Sequence, residues 1–240
     1  MKIDPDTCVA CGSCIPVCPV GAIELGDANA RISRDSCVEC GVCERSGFCP
    51  VDAFEKEELS WPRGIRRAFS DPMSTFESTQ VSGRGTMEMK TNDVTNRFEY
   101  GEIGLAFELG RPGTGTKISE IEKLTVPLAS LADVEVKFEP ENPVTNLIDE
   151  ETGKFEDREI LDEKVLTAIL ELKVKEEDAP RVLSLFKDKV ADLDTVVSVD
   201  LITRETEADG PAEKIVNLIE ENNFELRING KTCIGLGKEA

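Results

Sequence analysis

Two cysteine runs, Cys8-x2-Cys11-x2-Cys14-x3-Cys18-Pro19 and Cys37-x2-Cys40-x2-Cys43-x5-Cys49-Pro50, limit what the first quarter of this chain can fold into. A C-x2-C-x2-C loop can wrap three corners of an iron–sulfur cubane, and the fourth thiolate has to come from elsewhere. Structural zinc uses pairs of C-x2-C hooks, so tripled hooks with Cys-Pro endings, twice over, predict [4Fe–4S] clusters. Proline after the last cysteine fixes φ and turns the chain away. Gly12 and Gly41 let backbone approach the sulfurs, where N–H donors raise a reduction potential.

The segment is written twice. Lys2-Ile3-Asp4-Pro5-Asp6-Thr7-Cys8-Val9-Ala10-Cys11-Gly12 matches Arg31-Ile32-Ser33-Arg34-Asp35-Ser36-Cys37-Val38-Glu39-Cys40-Gly41, with the first three cysteines of each copy offset by 29 residues. A repeat of this kind predicts two similar units packed about a pseudo-twofold axis. Residues 1–58 resemble the bacterial two-[4Fe–4S] ferredoxins. That resemblance implies short paired strands around Ile3, Ile23–Leu25, Ile32 and Ala53–Glu55, with a small helical turn after each cysteine loop. It also implies crossed ligation, with one cluster on Cys8, Cys11, Cys14 and Cys49 and the other on Cys37, Cys40, Cys43 and Cys18. One departure stands out: five residues, Glu44–Phe48, separate Cys43 from Cys49 where the usual pattern has three. So placed, the insertion is expected to shift a potential or shape a docking face.

The formal net charge is −20. That argues against non-specific nucleic-acid binding and for docking on basic protein surfaces. The absence of histidine removes hydrolytic triads and His-bound zinc or haem. No stretch approaches the roughly 20 apolar residues a membrane helix needs. The first residues carry no apolar secretory region, which predicts a cytoplasmic protein whose clustered cysteines bind metal rather than form disulfides.

Residues 59–97 read as a connecting segment, rich in Ser, Thr, Gly and Arg and without sustained periodicity. Its arginines, Arg63, Arg66, Arg67 and Arg84, are expected to contact a partner or an anionic ligand, or else to wrap the segment across the chain's own acidic domains. From residue 98 the period of two returns. Ile103, Leu105, Phe107 and Leu109 predict one strand, Val134, Val136 and Phe138 a second. Leu166, Ala168, Leu170, Leu172 and Val174 predict a third, and Val197, Val199 and Leu201 a fourth. A helix over Ile118–Leu131 is expected to open on the capping box Ser119-x-x-Glu122 and to break or kink at Pro127. Pro180 opens another, with Val182, Leu183, Phe186 and Val190 on one face. Asp149–Gly153 reads as a hairpin tip. A last helix follows Gly210-Pro211, and a hairpin turned by Asn229-Gly230 places Cys233 as a small buried hydrophobe. The fold class is therefore α+β: a two-cluster ferredoxin domain (1–58), a connector (59–97), and a ferredoxin-like βαββαβ sandwich with an added helix and hairpin (98–240).

Neither glycine-rich stretch makes a nucleotide site. In 110–117 Lys117 follows Thr116 and precedes Ile118, which fails the P-loop pattern, and Gly83-Arg84-Gly85 lacks the third glycine of a dinucleotide fingerprint. Residues 82–95 (SGRGTMEMKTNDVT), with Gly110-Arg111-Pro112-Gly113, resemble the ferredoxin-bearing part of the 6-hydroxynicotinate reductase family. That resemblance implies an anaerobic oxidoreductase that reduces a heteroaromatic ring with iron–sulfur clusters and flavin. The first functional expectation is an electron-transfer subunit working with a catalytic flavin or metal oxidoreductase, the chain itself being open to homo-oligomerisation. The second is a ring-reducing enzyme. The third is a redox sensor whose α/β domain binds an effector.

Overall fold

The computed structural model describes residues 1–81, 83–86, 88–97, 99–110, 114–203 and 211–225. Cys233 and the turn expected at Asn229-Gly230 lie outside these residues, as do 111–113 of the glycine-rich stretch.

The first unit is small and closes on itself. It comprises β1 (Lys2–Ile3), β2 (Ile23–Leu25), β3 (Ala30–Ile32), α1 (Val42–Arg45) and β4 (Phe54–Glu55). β1 pairs antiparallel with β4 in the register Ile3↔Phe54, and β2 with β3 in the register Ile23↔Ile32. The strands fall where the ferredoxin resemblance implies them, the last starting at Phe54 rather than Ala53. Its apolar core is slight: Cys14, Ile23 and Ala30 are buried, and Ile3, Ile32, Phe54 and three more cysteines pack around them.

The remaining elements are α2 (Gly64–Ser70), α3 (Phe76–Thr79), α4 (Asn92–Thr95), β5 (Glu102–Leu109), β6 (Thr116–Lys117), α5 (Ile118–Ala129) and β7 (Lys137–Phe138), followed by β8 (Ile148–Asp149), β9 (Lys154–Phe155), β10 (Lys164–Val165), β11 (Ala168–Lys175), α6 (Ala179–Val190), β12 (Val197–Ile202) and α7 (Pro211–Glu221). Mixed helices and strands beside the small N-terminal unit make the chain α+β. The main sheet has the order β12-β5-β11-β7, antiparallel throughout. Ile103, Leu105, Phe107 and Leu109 of β5 share a core with Leu170, Leu172 and Val174 of β11, with Ile118, Ile121 and Leu124 of α5, and with Val182, Leu183 and Phe186 of α6. The rings of Phe107 and Phe186 stand 5.2 Å apart.

The connector proves to be part of this core. Ile65, Ala68 and Phe69 of α2 are buried among the same residues, and Ser70 Oγ accepts a 2.8 Å bond from Leu166 N. Residues 84–86 and 88–89 cover the sheet's other face. Ile169 N donates to Arg84 O at 2.8 Å, a Cβ on Gly85 would meet Ile169 Cβ at 2.8 Å, and one on Gly104 would meet Met89 Cε at 2.5 Å. The segment's polarity hid this, because Ile65, Ala68 and Phe69 keep the helical spacing for only two turns, within a run otherwise rich in polar residues.

Four local expectations differ from what the structure holds. Ser119 does not cap α5, because backbone carbonyls do: Ile118 N donates to Glu163 O and Ser119 N to Leu161 O. Glu122, the other half of the expected box, instead accepts from Phe155 N and Arg158. Pro127 lies inside α5 without ending it, since the helix closes two residues later at Ala129. Val134 and Val136 precede β7 without pairing in it, and Val190 is 39% exposed at the end of α6. The hairpin tip at Asp149–Gly153 is present, with Gly153 at φ +68° and its N–H donating to Asp149 O at 2.7 Å. No described helix is long and apolar enough to cross a membrane.

Candidate iron–sulfur centres

The eight cysteines of the N-terminal unit separate into two groups of four. Cys8, Cys11, Cys14 and Cys49 line one cavity, with Ile3, Val9, Ala30, Val51 and Phe54 as apolar wall. Cys18, Cys37, Cys40 and Cys43 line the other, walled by Met1, Val20, Ile23, Ile32 and Val38. Each cavity thus takes three cysteines from its own loop and one from the Cys-Pro end of the other copy.

Backbone conformation repeats with the sequence. Ala10 and Glu39 have φ of +53° and +58°, and Gly12 and Gly41 have +73° and +67°. These left-handed residues curl each C-x2-C-x2-C loop so that its sulfurs face one point; at Gly41 a side chain would also meet Arg45 Nη1 at 2.5 Å. The curled loops and the turns after them aim N–H groups at sulfur. Ala22 N donates to Cys18 Sγ at 3.2 Å, and its counterpart Ala53 N to Cys49 Sγ at 3.3 Å. Ala30 N donates to Cys8 Sγ at 3.4 Å. Four thiols around an apolar cavity, with amide donors on their sulfurs, are a donor set suited to a [4Fe–4S] cluster.

The two centres differ in setting. Cys11 and Val9 lie exposed at the first, whereas Val38, Glu39, Cys40 and Gly41 are all buried at the second. Burial pushes the Cys37 and Cys40 thiols up and Cys43 to about 12, while a hydrogen bond with Ser13 pulls surface Cys11 down.

The arginines of the connector face inwards. Arg66, only 6% exposed, ion-pairs with Glu163 and donates from Nη1 to Arg34 O, Asp35 O and Cys37 O at 3.0, 3.0 and 2.8 Å. Arg63 donates to Glu39 Oε1 at 2.6 Å and to Arg34 O at 3.0 Å. The amino terminus donates to the other Glu39 oxygen at 2.6 Å. Burial raises the Glu39 pKa, but these two cations outweigh it and hold the carboxyl below its usual range. Arg67 donates to Glu57 O at 3.1 Å, and Arg84, 2.7 Å from Glu108, lies along the sheet. Arg63, Arg66 and Arg67 are thus engaged within the chain, by Glu39, Glu163 and backbone carbonyls of the N-terminal unit, as expected of a segment wrapped across its own acidic surface. The motif around Gly83–Thr86 is likewise occupied, with Thr86 N and Oγ1 both donating to buried Glu171.

Comparison with known proteins bears on the N-terminal unit. The model of the 4Fe-4S binding domain matches residues 1–24. The ferredoxin-like protein in the vnf region of Azotobacter vinelandii is 47% identical over 55 residues, 22% of this chain and 85% of that one. The chain belongs to the ferredoxin family. Ferredoxin-1 of Rhodobacter capsulatus is 50% identical over 40 residues, 17% of this chain and 62% of that protein. These ferredoxin matches cover about a fifth of the chain, and the α+β unit that follows is an addition to the ferredoxin.

Sequence reasoning missed Arg45 and Glu39 as residues of the centres. Arg45 sits in the lengthened Cys43–Cys49 interval, where Nη2 donates to Cys40 O at 2.6 Å and Nη1 to Asp71 Oδ1 at 2.8 Å. The insertion itself was the readable signal: two more residues make room for the helical turn α1 where the first copy has only a 3-10 turn, Ile15–Val17.

Proposed function

We propose that this chain is an iron–sulfur electron-transfer component that carries two [4Fe–4S] clusters and relays low-potential electrons to or from a catalytic oxidoreductase partner. One cluster is held by Cys8, Cys11, Cys14 and Cys49, the other by Cys18, Cys37, Cys40 and Cys43. The observation that carries the reading is the sorting of eight cysteines into two cavities of four. When bound, such clusters supply one-electron chemistry. The chain's own contributions are thiolate donors, amide donors on sulfur, and apolar walls that limit water. Exposure of Cys11 and Val9 favours exchange with the partner at the first centre.

The second unit is read as a ferredoxin-like βαββαβ sandwich; its strand order, with α5 and α6 following the first and third strands, supports this. It serves here as the body that seats the inner centre. The ring-reductase reading loses its nearest residues, because Arg84, Gly85 and Thr86 pack on β11 rather than around a cavity. Paired electrons for ring reduction normally come from flavin or nicotinamide, which belongs to the partner.

The test is anoxic purification, iron and sulfide analysis, and an assay with reduced viologen. Two clusters per chain, reversible reduction, and no sustained oxidation of viologen by 6-hydroxynicotinate with or without flavin are expected. Sustained substrate-dependent turnover by the chain alone would overturn the carrier reading.

A further inference from the structure

Two guanidinium groups donate to the cysteine loop of the inner centre, and among the described residues the outer centre's loop has no counterpart. Arg66 reaches from α2 and Arg45 from α1 to Cys37 O and Cys40 O, the carbonyls of two cysteines in one loop. Among the described residues, no lysine or arginine donates to the backbone of residues 8–14. Position 16, in the shorter interval of the first copy, is a proline. Each guanidinium has its carboxylate on a different nitrogen from the one that holds the loop: Glu163 on Arg66 Nε, Asp71 on Arg45 Nη1. The nitrogens on the carbonyls thus present positive charge to the cysteine loop, with the compensating negative charge held on another edge of each fork.

This arrangement opposes what burial does. A centre removed from water resists reduction, because the reduced state carries more negative charge in a poorer dielectric. Cationic donors on the loop carbonyls cancel the negative ends of those dipoles and favour the added electron. We infer that Arg66 and Arg45 are positioning residues that raise the reduction potential of the Cys18/Cys37/Cys40/Cys43 centre, offsetting its burial. The inference rests on the two-cluster reading above. It links the second unit to redox function: through Arg66 and Glu163, the α2 layer and the loop beside β10 set the tuning of a cluster in the first.

The experiment is an EPR-monitored redox titration of the full chain and of Arg45→Gln, whose side chain is 30% exposed and tolerates change. Arg45→Lys, which keeps the charge, is the rescue. A double variant, Arg66→Gln with Glu163→Gln, removes the buried pair without leaving one charge unmatched. A Cys11→Ala chain identifies which midpoint belongs to the inner centre. The expected result is a fall in the inner midpoint equivalent to at least tenfold in its reduction equilibrium, about 59 mV for one electron. The outer midpoint stays unchanged, and Arg45→Lys recovers most of the loss. Two clusters whose midpoints stay fixed, or move together, would overturn the assignment of the arginines alone. Fewer than two clusters in the unmodified chain would overturn the two-cluster reading and this inference with it.

Discussion

Two phenylalanines of one polar segment, seven positions apart, give a sharp test of how the chain is divided. Phe69 of α2 is 2% exposed within the main core, beside Ile65 and Ala68, while Phe76 at the start of α3 is 57% exposed. Phe69→Ala removes a buried ring from a site framed by a helix and a sheet that cannot collapse onto the space. A cost of about 3–5 kcal/mol follows, a large part of the roughly 5–15 kcal/mol that holds a domain together. Phe76→Ala changes only hydrated surface, so a change within about 0.5 kcal/mol follows. Urea unfolding followed by far-UV circular dichroism reads both, with iron content measured alongside. If Phe69→Ala costs less than about 1 kcal/mol, or the two variants behave alike, residues 59–97 are a connector after all and α2 does not belong to the core.

Other outcomes follow from the same contacts. Gly153→Ala puts a Cβ 2.2 Å from Thr125 O at a backbone with φ +68°, so thermal melting should show destabilisation of at least about 1–3 kcal/mol. Burial raises the Glu122 pKa, but Arg158 and the Phe155 N–H outweigh it and leave it lowered. Its stabilisation is therefore present above the unfolded value near 4.5 and lost as pH falls through the lower folded value. Glu122→Gln should consequently be less stable than the parent at pH 7, and the gap should close in acid; a gap that widens in acid would refute the sign.

The centres were far more legible than the body that carries them. Cysteine spacing and an internal repeat fix ligand type, loop shape and strand placement locally, and Ala10/Glu39 and Gly12/Gly41 show the repeat again in the backbone. The alternating strands around Phe107 and Leu172 were legible because one face of each packs on helices. What could not be read was long-range. Glu163 supplies the carbonyl that caps α5 and the carboxylate that pairs with Arg66, and nothing near position 163 announces either. The connector arginines could be read as partner contacts or as wrapped on the chain itself, and their acceptors, chiefly carbonyls of residues 34–37 and Glu39, could not be named because they lie about 30 positions away in sequence.

Crossed ligation of two clusters is put to the test by Cys18→Ala. EPR of the reduced, anoxically purified variant should show the Cys8/Cys11/Cys14 centre intact and the Cys37/Cys40/Cys43 centre lost or altered, with Cys49→Ala giving the reverse. Loss of the Cys8/Cys11/Cys14 centre in Cys18→Ala, with the other preserved, would contradict it.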